Sequence, residues 1–366
     1  MPELTVKIPS VDSKNYRISI GTDILKQVWS KIEADFPGCS KFIVTDENVL
    51  SAGHVEKLLG GGDVGMFVIK PAGEAAKNIN TVVSIIEAME QASLGRDSVV
   101  VGVGGGTVGD IAGFAAAIFK RGVPVIHIPT TTVSQADSSV GGKTGVDSSL
   151  SKNAFGVFWQ PAAVYIDSAT LATMDERQFR AGLAESLKHA FIADEKFFEF
   201  IESNIDDILR RDTQVFERMA FFNCSIKASV VEIDPNERNQ RRILNYGHTI
   251  GHAIEAASDF NMLHGEAIAV GMTGAGLIEI ELGLGDQKRV EKVSDILQKL
   301  GLSVRIPRSV PGDRVMELLK HDKKAIDKWP RFVLLERIGK VYCPDGQWAV
   351  KVTRDVVEKV LDRLYE

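Results

Sequence analysis

Cysteine is scarce: Cys39, Cys224 and Cys343 are the only three in 366 residues, they stand far apart, and none belongs to a C-x-x-C pair. An odd, scattered set argues against a disulfide framework and against a cysteine-built zinc site. Long apolar runs are also missing, each being interrupted by glycine, proline or charge well short of the ~20 residues that a membrane span needs. Positive charge is in deficit, with 43 Lys and Arg against 49 Asp and Glu, so neither nucleic acid nor an anionic membrane is an expected partner. Met1 to Thr5 lack the basic stretch and apolar core of a signal peptide. No internal repeat or low-complexity tract is present. What remains is a soluble chain, expected in the cytoplasm and long enough for two cores.

What is there begins with short β-rich runs. Lys41–Thr45, Met66–Ile69, Ser98–Val103, Val125–Ile128 and Ala163–Ile166 have the length and β-branched content of buried strands. Between the second and third, Asn78–Ser93 spaces Ile79, Val82, Val83, Ile86 and Met89 as a helix does. Strand, helix, strand in sequence implies parallel β-α-β units and a wound, Rossmann-like α/β domain. From about Arg177 the texture becomes helical, with segments Phe179–Phe191, Glu195–Ile208, Thr213–Val231, Thr249–Ser258, Glu266–Leu282 and Gln287–Leu300. Only Arg331–Glu336 and Gly339–Tyr342 interrupt this otherwise all-α half, as a small hairpin. The expected division is an α/β domain over residues 1–175 and a helical domain over 176–366, with a site in the crevice between them.

After Ser98–Val103, Gly104, Gly106 and Gly109 satisfy G-x-G-x-x-G ahead of a helical Ile111–Phe119. A glycine turn there lets backbone N–H groups and a helix N-terminus meet a pyrophosphate; the same pattern also serves simply to pack a helix close to a sheet. The acidic residue expected about 20 positions on to take a ribose is absent, Pro129-Thr130-Thr131 standing there instead. Asp46, at the end of an earlier strand, is a substitute.

Histidine numbers seven in the chain, and three of them, His248, His252 and His264, fall within seventeen positions. His248 and His252, at i and i+4, share a helix face and read as a ligand pair for a divalent metal, although an ordinary surface helix carries such pairs too. Glu185, set among small and apolar residues, is a candidate carboxylate. Lys143, Lys152 and Asn153 lie in Gly- and Ser-rich segments that read as loops, whereas Lys188 and Lys227 lie in apolar helical stretches; Arg241 and Asn245 precede the histidines. Singly each lysine suits a solvated surface; together they suggest a pocket for phosphate or carboxylate.

Taken together these segments resemble the 3-dehydroquinate synthase branch of the sugar-phosphate cyclases, from about Lys41 to Gly339. The resemblance rests on Pro71–Lys77, Gly104–Asp110 with Gly113-Phe114 and Lys120-Arg121-Gly122, and Pro129-Thr130-Thr131 leading to Asp137–Gly145. It continues through Lys152-Asn153, Gln160-Pro161, Ala184-Glu185, Leu244–His252, His264-Gly265-Glu266 and Asp322-Lys323-Lys324. It implies an NAD domain followed by a helical metal domain, often as a homodimer. Metal ligands by matching position are Glu185, His248 and His264, with zinc first and cobalt second; this replaces the spacing-based pair and turns His252 toward substrate. Implied NAD contacts are Asp46, Asn48, Glu74, Lys77, Gly105, Gly106, Asp110, Thr130, Thr131 and Thr170 to Thr173, with Lys143 and Lys152 at the same boundary. Implied substrate contacts are Arg121, Asp137, Lys143, Lys152, Asn153, Lys188, Lys227, Arg241, Asn245, His252 and one of Lys323 and Lys324.

The implied reaction converts 3-deoxy-D-arabino-heptulosonate 7-phosphate, a small anionic sugar phosphate, to 3-dehydroquinate and phosphate. Its steps are transient oxidation at C5 by NAD, β-elimination of phosphate, re-reduction, ring opening and aldol closure, a lyase reaction with no net redox change. Ser151, Gln178 and Val133–Ala136 depart from the family pattern without removing a group that has a role. A sister cyclase acting on sedoheptulose 7-phosphate, a metal-dependent polyol dehydrogenase and a non-catalytic scaffold are the alternatives; the lysine set and Arg241, Asn245 and His252 favour the carboxylated substrate.

Overall fold

A computed structural model describes residues 15–320 and 329–365. Six parallel strands form one sheet in the order β1-β8-β5-β4-β2-β3: Arg17–Gly21 (β1), Ser40–Asp46 (β2), Gly65–Ile69 (β3), Ser98–Gly104 (β4), Val125–Pro129 (β5) and Ala163–Asp167 (β8). Every residue of β4 is buried, because helices cover both faces of a parallel sheet and a Val-rich run satisfies both. The five expected strands are all present. β1 completes the sheet at one edge and was not among them. Helices Leu25–Asp35 (α1), Glu47–Ser51 (α2), His54–Leu59 (α3), Ile79–Gln91 (α4) and Gly106–Ile118 (α5) connect the strands; Asn78 caps α4 by accepting from the Asn80 and Thr81 amides. The chain winds outward through β2 and β3, returns to β4, then crosses to β5 on the other side. Connections leave β2 toward β3 and β4 toward β5, in opposite directions, so the crevice at the carboxyl ends of β2 and β4 is a topological switch point, where ligands of open α/β sheets bind.

One expectation fails between β5 and β8. The segment around Lys143 and Lys152 is not a plain loop but an antiparallel hairpin, Lys143–Val146 (β6) with Phe155–Phe158 (β7), whose connecting turn carries Lys152 and Asn153. Its glycines conceal the strand signal: Gly145 pairs directly with Gly156, so the backbones meet where side chains would advertise a strand.

The remainder is helical: Glu176–Ala193 (α6), Glu195–Ser203 (α7), Ile205–Leu209 (α8), Thr213–Ile233 (α9), His248–Ala257 (α10), His264–Glu281 (α11), Gln287–Lys299 (α12), Gly312–Lys320 (α13) and Arg354–Tyr365 (α14). Asp175 opens α6 by accepting from the Arg177 and Gln178 amides. The single helix expected over 195–208 is two, broken at Asn204, whose side-chain Nδ2 donates to the Phe200 carbonyl while its backbone N–H turns to the Ile201 carbonyl. This half is not wholly α. Arg331–Phe332 (β9) pairs with Val350–Lys351 (β12), and Leu335–Arg337 (β10) with Lys340–Val341 (β11), so only the second part of the expected hairpin forms as such.

α11 is buried on all sides from Ala267 to Glu279, as a helix apolar almost all round must be. It meets its neighbours main chain to main chain. A Cβ on Gly265 would lie 1.8 Å from the Ala181 carbonyl oxygen on α6, and one on Gly271 would lie 2.0 Å from the Gly247 oxygen at the start of α10. Arg177 reinforces the first contact with a two-pronged bond to Glu266, at 2.7 and 2.8 Å. Among the described residues no helix is long and apolar enough to cross a membrane.

Candidate active site between sheet and helices

Three helices bring the expected metal residues together. Glu185 comes from the middle of α6, His248 opens α10 and His264 opens α11. The Nε2 atoms of His248 and His264 lie 3.6 and 3.2 Å from the same oxygen, Glu185 Oε1. Ligand atoms about 2.0–2.2 Å from a shared tetrahedral ion stand roughly 3.4 Å apart, so the set fits a divalent metal. Each imidazole is turned by its other nitrogen: His248 Nδ1 lies 3.0 Å from the Tyr246 carbonyl, and His264 Nδ1 lies 3.2 Å from Glu255 Oε2. Both contacts favour a proton on Nδ1 and turn the two Nε2 atoms toward one point, where a bound cation would take the place of a proton on Nε2, the usual outer support of a metal site. His252 is close as well, its ring centroid 5.1 Å from that of His248 and 5.5 Å from that of His264. Ligand atoms of the three histidines all lie within 4.8 Å of one another. The separations to Glu185 are shorter, and they match one coordination sphere better than the spacing-derived pair does.

The charges here are strongly perturbed. Burial holds His248 well below the usual imidazole range. Burial also opposes charge on His264, but the Glu185 and Glu255 carboxylates outweigh it and raise His264 to about 9. Glu185 is buried too, yet Lys188 and His248 hold it well below the usual carboxylate range.

Beside this set lies a buried ion cluster. Asp137, on a π-helical turn after β5, receives Lys227 of α9 at 2.6 Å and Lys188 of α6 at 3.6 Å; Lys188 also lies 2.5 Å from Glu185. Lys188 is 1% exposed and Lys227 5%. Burial disfavours charge on Asp137, but the two ammonium groups hold it well below its usual range. His189 stands behind, with Nε2 3.5 Å from Asp137 and Nδ1 3.0 Å from Asn223 Oδ1.

The hairpin closes the other side. Lys143 pairs with Glu237, which also accepts from Asn245 Nδ2 at 3.0 Å. Lys152 reaches Glu255 at 2.9 Å and Glu74 at 3.4 Å. Burial opposes charge on Glu255 as well, but His264 and then Lys152 draw it down to about 2. Asn153 holds the turn at φ +52°, its amide bonded to Asp147.

At the switch point, Gly105 caps α5 without any side-chain bond, leaving the first amides of the helix to a ligand. A Cβ on Gly106 would lie 3.0 Å from Ser138 Oγ, so a bare backbone is what lines this cradle. Asp110, in the first turns of α5, pairs with Lys77 at 2.7 Å. Thr130 Oγ1 is buried with no hydrogen-bond partner among the described residues, and Thr131 caps the next turn with Ser134. This donor set fits a dinucleotide pyrophosphate. Asp46 ends β2 and accepts from the Val49 amide, with Asn48 exposed two residues on. Thr170 and Thr173 use their hydroxyls internally, on the Asp167 and Thr170 carbonyls.

Arg121, Arg241 and the Lys323–Lys324 pair stand apart from the other expected substrate contacts. Arg121 sits past the far end of α5, about 20 Å of helix from the glycine turn. Arg241 is 1% exposed and commits Nη1 to the Pro235 carbonyl at 2.7 Å and Nη2 to the Gly141 carbonyl at 3.0 Å. Its two terminal nitrogens thus tie the hairpin root to the helices, while Nε is buried with no hydrogen-bond partner among the described residues. Lys323 and Lys324 lie outside the described residues. The sequence reading missed Glu237, His189, Asn223 and Glu255. Only Glu255 carried a local signal, standing three and seven positions after His252 and His248 on the same helix face.

Comparison with known proteins agrees with this arrangement. Residues 67–181 match the family model described as 3-dehydroquinate synthase N-terminal, and residues 182–325 match the one described as 3-dehydroquinate synthase C-terminal. The chain is 42% identical over 356 residues to the 3-dehydroquinate synthase of Ruminiclostridium cellulolyticum, covering 96% of this chain and 97% of the relative. Among solved structures it resembles a 2-deoxy-scyllo-inosose synthase complexed with carbaglucose-6-phosphate, NAD+ and Co2+ (TM-score 0.84, 30% identity, 94% of this chain and 96% of that one). It also resembles the 2-epi-5-epi-valiolone synthase of Streptomyces hygroscopicus with NAD+ and Zn2+ bound (TM-score 0.87, 28% identity, 98% and 99%). The chain belongs to the 3-dehydroquinate synthase family.

Proposed function

We propose that the protein converts 3-deoxy-D-arabino-heptulosonate 7-phosphate to 3-dehydroquinate and phosphate, as a carbon–oxygen lyase of aromatic amino-acid biosynthesis. The observation that carries this reading is the junction of a three-ligand metal set with a buried carboxylate–lysine cluster, through Lys188 between Glu185 and Asp137. A polyol dehydrogenase needs the first alone. The second supplies ammonium groups that a reaction expelling phosphate from a carboxylated sugar can use.

When bound, NAD takes and returns a hydride at C5, and the divalent ion polarises the oxygen there, which acidifies the neighbouring C–H. The chain's own residues do the rest. Glu185, His248 and His264 hold the ion, with zinc as the resident metal and cobalt as a competent replacement. The α5 amides at Gly105 and Gly106, with Asp110, Lys77, Thr130 and Thr131, hold the dinucleotide; Asp46, Asn48, Glu74, Thr170 and Thr173 line its outer part. Lys143, Lys152 and Asn153 on the hairpin, with Asn245, receive the anionic groups of the sugar acid, so that phosphate departs against fixed positive charge. Lys188 and Lys227 carry protons at Nζ under the control of Asp137, and His252 presents a ring nitrogen to the substrate beside the metal set. The division near residues 175 and 176, where Asp175 starts α6, a homodimeric assembly and a cytoplasmic location belong to the same proposal.

The test is phosphate release from NAD- and metal-loaded protein supplied with 3-deoxy-D-arabino-heptulosonate 7-phosphate, with sedoheptulose 7-phosphate in parallel. Release from the first alone, without NADH accumulating, is the expected result. Release only from the second would transfer the protein to a sister cyclase branch, and net NADH formation from a polyol would make it a dehydrogenase.

A further inference from the structure

We propose that Glu255 is a positioning residue that couples the metal ligand His264 to the anion-binding Lys152, so that capture of the substrate's anionic group and retention of the metal reinforce each other. The inference rests on the metal reading given above and adds a linkage to it.

Glu255 lies on α10 and is 6% exposed. Its two oxygens serve two different parts of the molecule. Oε2 lies 3.2 Å from His264 Nδ1 at the start of α11, and Oε1 lies 2.9 Å from Lys152 Nζ on the β6–β7 turn. An ionised carboxylate can only accept, so its contact with His264 fixes a proton on Nδ1 and leaves Nε2, facing Glu185, to take a cation in place of a proton. The single negative charge of Glu255 is therefore divided between an imidazole N–H and an ammonium. Among the described residues Lys152 has two further contacts, the exposed Glu74 at a longer 3.4 Å and the face of the Phe260 ring at 4.5 Å, and both hold it less firmly.

Moving Lys152 onto a substrate phosphate or carboxylate leaves the charge of Glu255 to His264 alone. The Nδ1–H bond then tightens, Nε2 becomes more basic, and a cation between Nε2 and Glu185 is held harder. The converse follows from linkage. A cation on Nε2 acidifies Nδ1–H, draws Glu255 toward His264 and slackens its hold on Lys152. Metal loading thus prepares the hairpin to receive an anion.

Removing any nearby cation also strengthens metal binding through space, so the experiment is a double-mutant cycle. Co2+ affinity of the full chain, free of NAD and substrate, is measured by chelator competition and followed by the visible absorption of the ion. The variants are the parent, E255Q, K152Q and the double replacement, each checked for folding by circular dichroism. The expected result is a 10- to 100-fold weakening in E255Q, a roughly fivefold tightening in K152Q, and a clearly smaller tightening from K152Q in the E255Q background, where only the through-space effect remains. Partial recovery by E255D, which keeps the charge on a shorter arm, is also expected, and E255D replaces E255Q in the cycle should the latter not fold. Tightening of equal size in both backgrounds, or an E255Q affinity within about twofold of the parent, overturns the proposal. Parent protein that binds no Co2+, or H264A that binds it as tightly as the parent, instead overturns the metal reading on which the proposal rests.

Discussion

Replacing Asp137 with Asn removes one charge from the centre of the lysine cluster while keeping its shape. Lys188 retains a partner, because Glu185 lies 2.5 Å from its ammonium. Lys227 loses its carboxylate at 2.6 Å, and among the described residues the carbonyl of residue 137 is what remains within 2.5 Å. At 5% exposure, water cannot take the place of the lost partner. Orphaning one member of a buried ion pair costs about 3–5 kcal/mol, and the surviving carbonyl and new amide oxygen put D137N at the low end, about 3 kcal/mol. Removing the orphan as well, in D137N/K227M, returns about 1–3 kcal/mol of this as coupling. The assay is urea unfolding followed by tryptophan fluorescence, with chelator present so that no bound metal contributes. A pH arm adds a second reading. Asp137 is depressed in the fold, where Lys188 and Lys227 outweigh its burial. A depressed carboxylate lends stability above about pH 4, and that stability is lost as acid is added. D137N must therefore show a flatter acid limb than the parent. A single variant within about 1 kcal/mol of the parent, or a double variant no more stable than the single, would refute the account of the cluster as mutually dependent charges.

Three further outcomes are expected. Burial on β5 pulls His127 down to about 4, so its neutral form stabilises the fold above pH ~6.5; about 3 kcal/mol is lost as pH falls from there toward 4. H127N should reduce the pH slope of stability in that window by up to one proton, and an unchanged slope would count against it. Burial pushes the Cys224 thiol up to about 12, whereas Cys39 and Cys343 are only partly buried. A chromogenic disulfide reagent at pH 8 should then titrate two thiols in the native protein and the third only after denaturation. G265A drives a methyl into the Ala181 carbonyl at 1.8 Å, at a cost of roughly 3 kcal/mol or more; it should weaken Co2+ binding in chelator competition, because it pries His264 away from Glu185, and unaltered affinity would sink that argument.

The sheet was legible because buried parallel strands concentrate β-branched residues, and five such runs announce themselves. β1 escaped because its two isoleucines, Ile18 and Ile20, alternate with Arg17, Ser19 and Gly21 and make no continuous β-branched run. The hairpin escaped because glycine pairs with glycine where side-chain alternation would otherwise show. In the site, Lys188 and Lys227 were legible as charges inside apolar helices, which is what a buried ion cluster requires. The partner that neutralises both is 51 residues away from Lys188 and 90 from Lys227, and no local pattern encodes such a pairing. Spacing selected His248 with His252, whereas tertiary packing brings His264 of another helix to the same carboxylate oxygen as His248. Arg241 shows the opposite limit. Its place before the histidines suggests recognition, and what the sequence could not show is that its two terminal nitrogens also bond two backbone carbonyls.

The main-chain seam along α11 has a consequence for change over time. Where two helices touch through carbonyl oxygens and missing side chains, the distance between them is a property of the peptide backbone. Leu277, Ile278 or Met272 can drift among apolar residues of similar bulk, altering how firmly the bundle holds without moving His264 relative to Glu185. The few positions that set the gauge of the site are therefore not its ligands alone but the glycines beside them. A lineage or a designer wishing to fit a larger ion there would have to begin by rewriting Gly265 and Gly271, where almost no substitution is tolerated. The chemistry is held steady by residues that have no chemistry of their own.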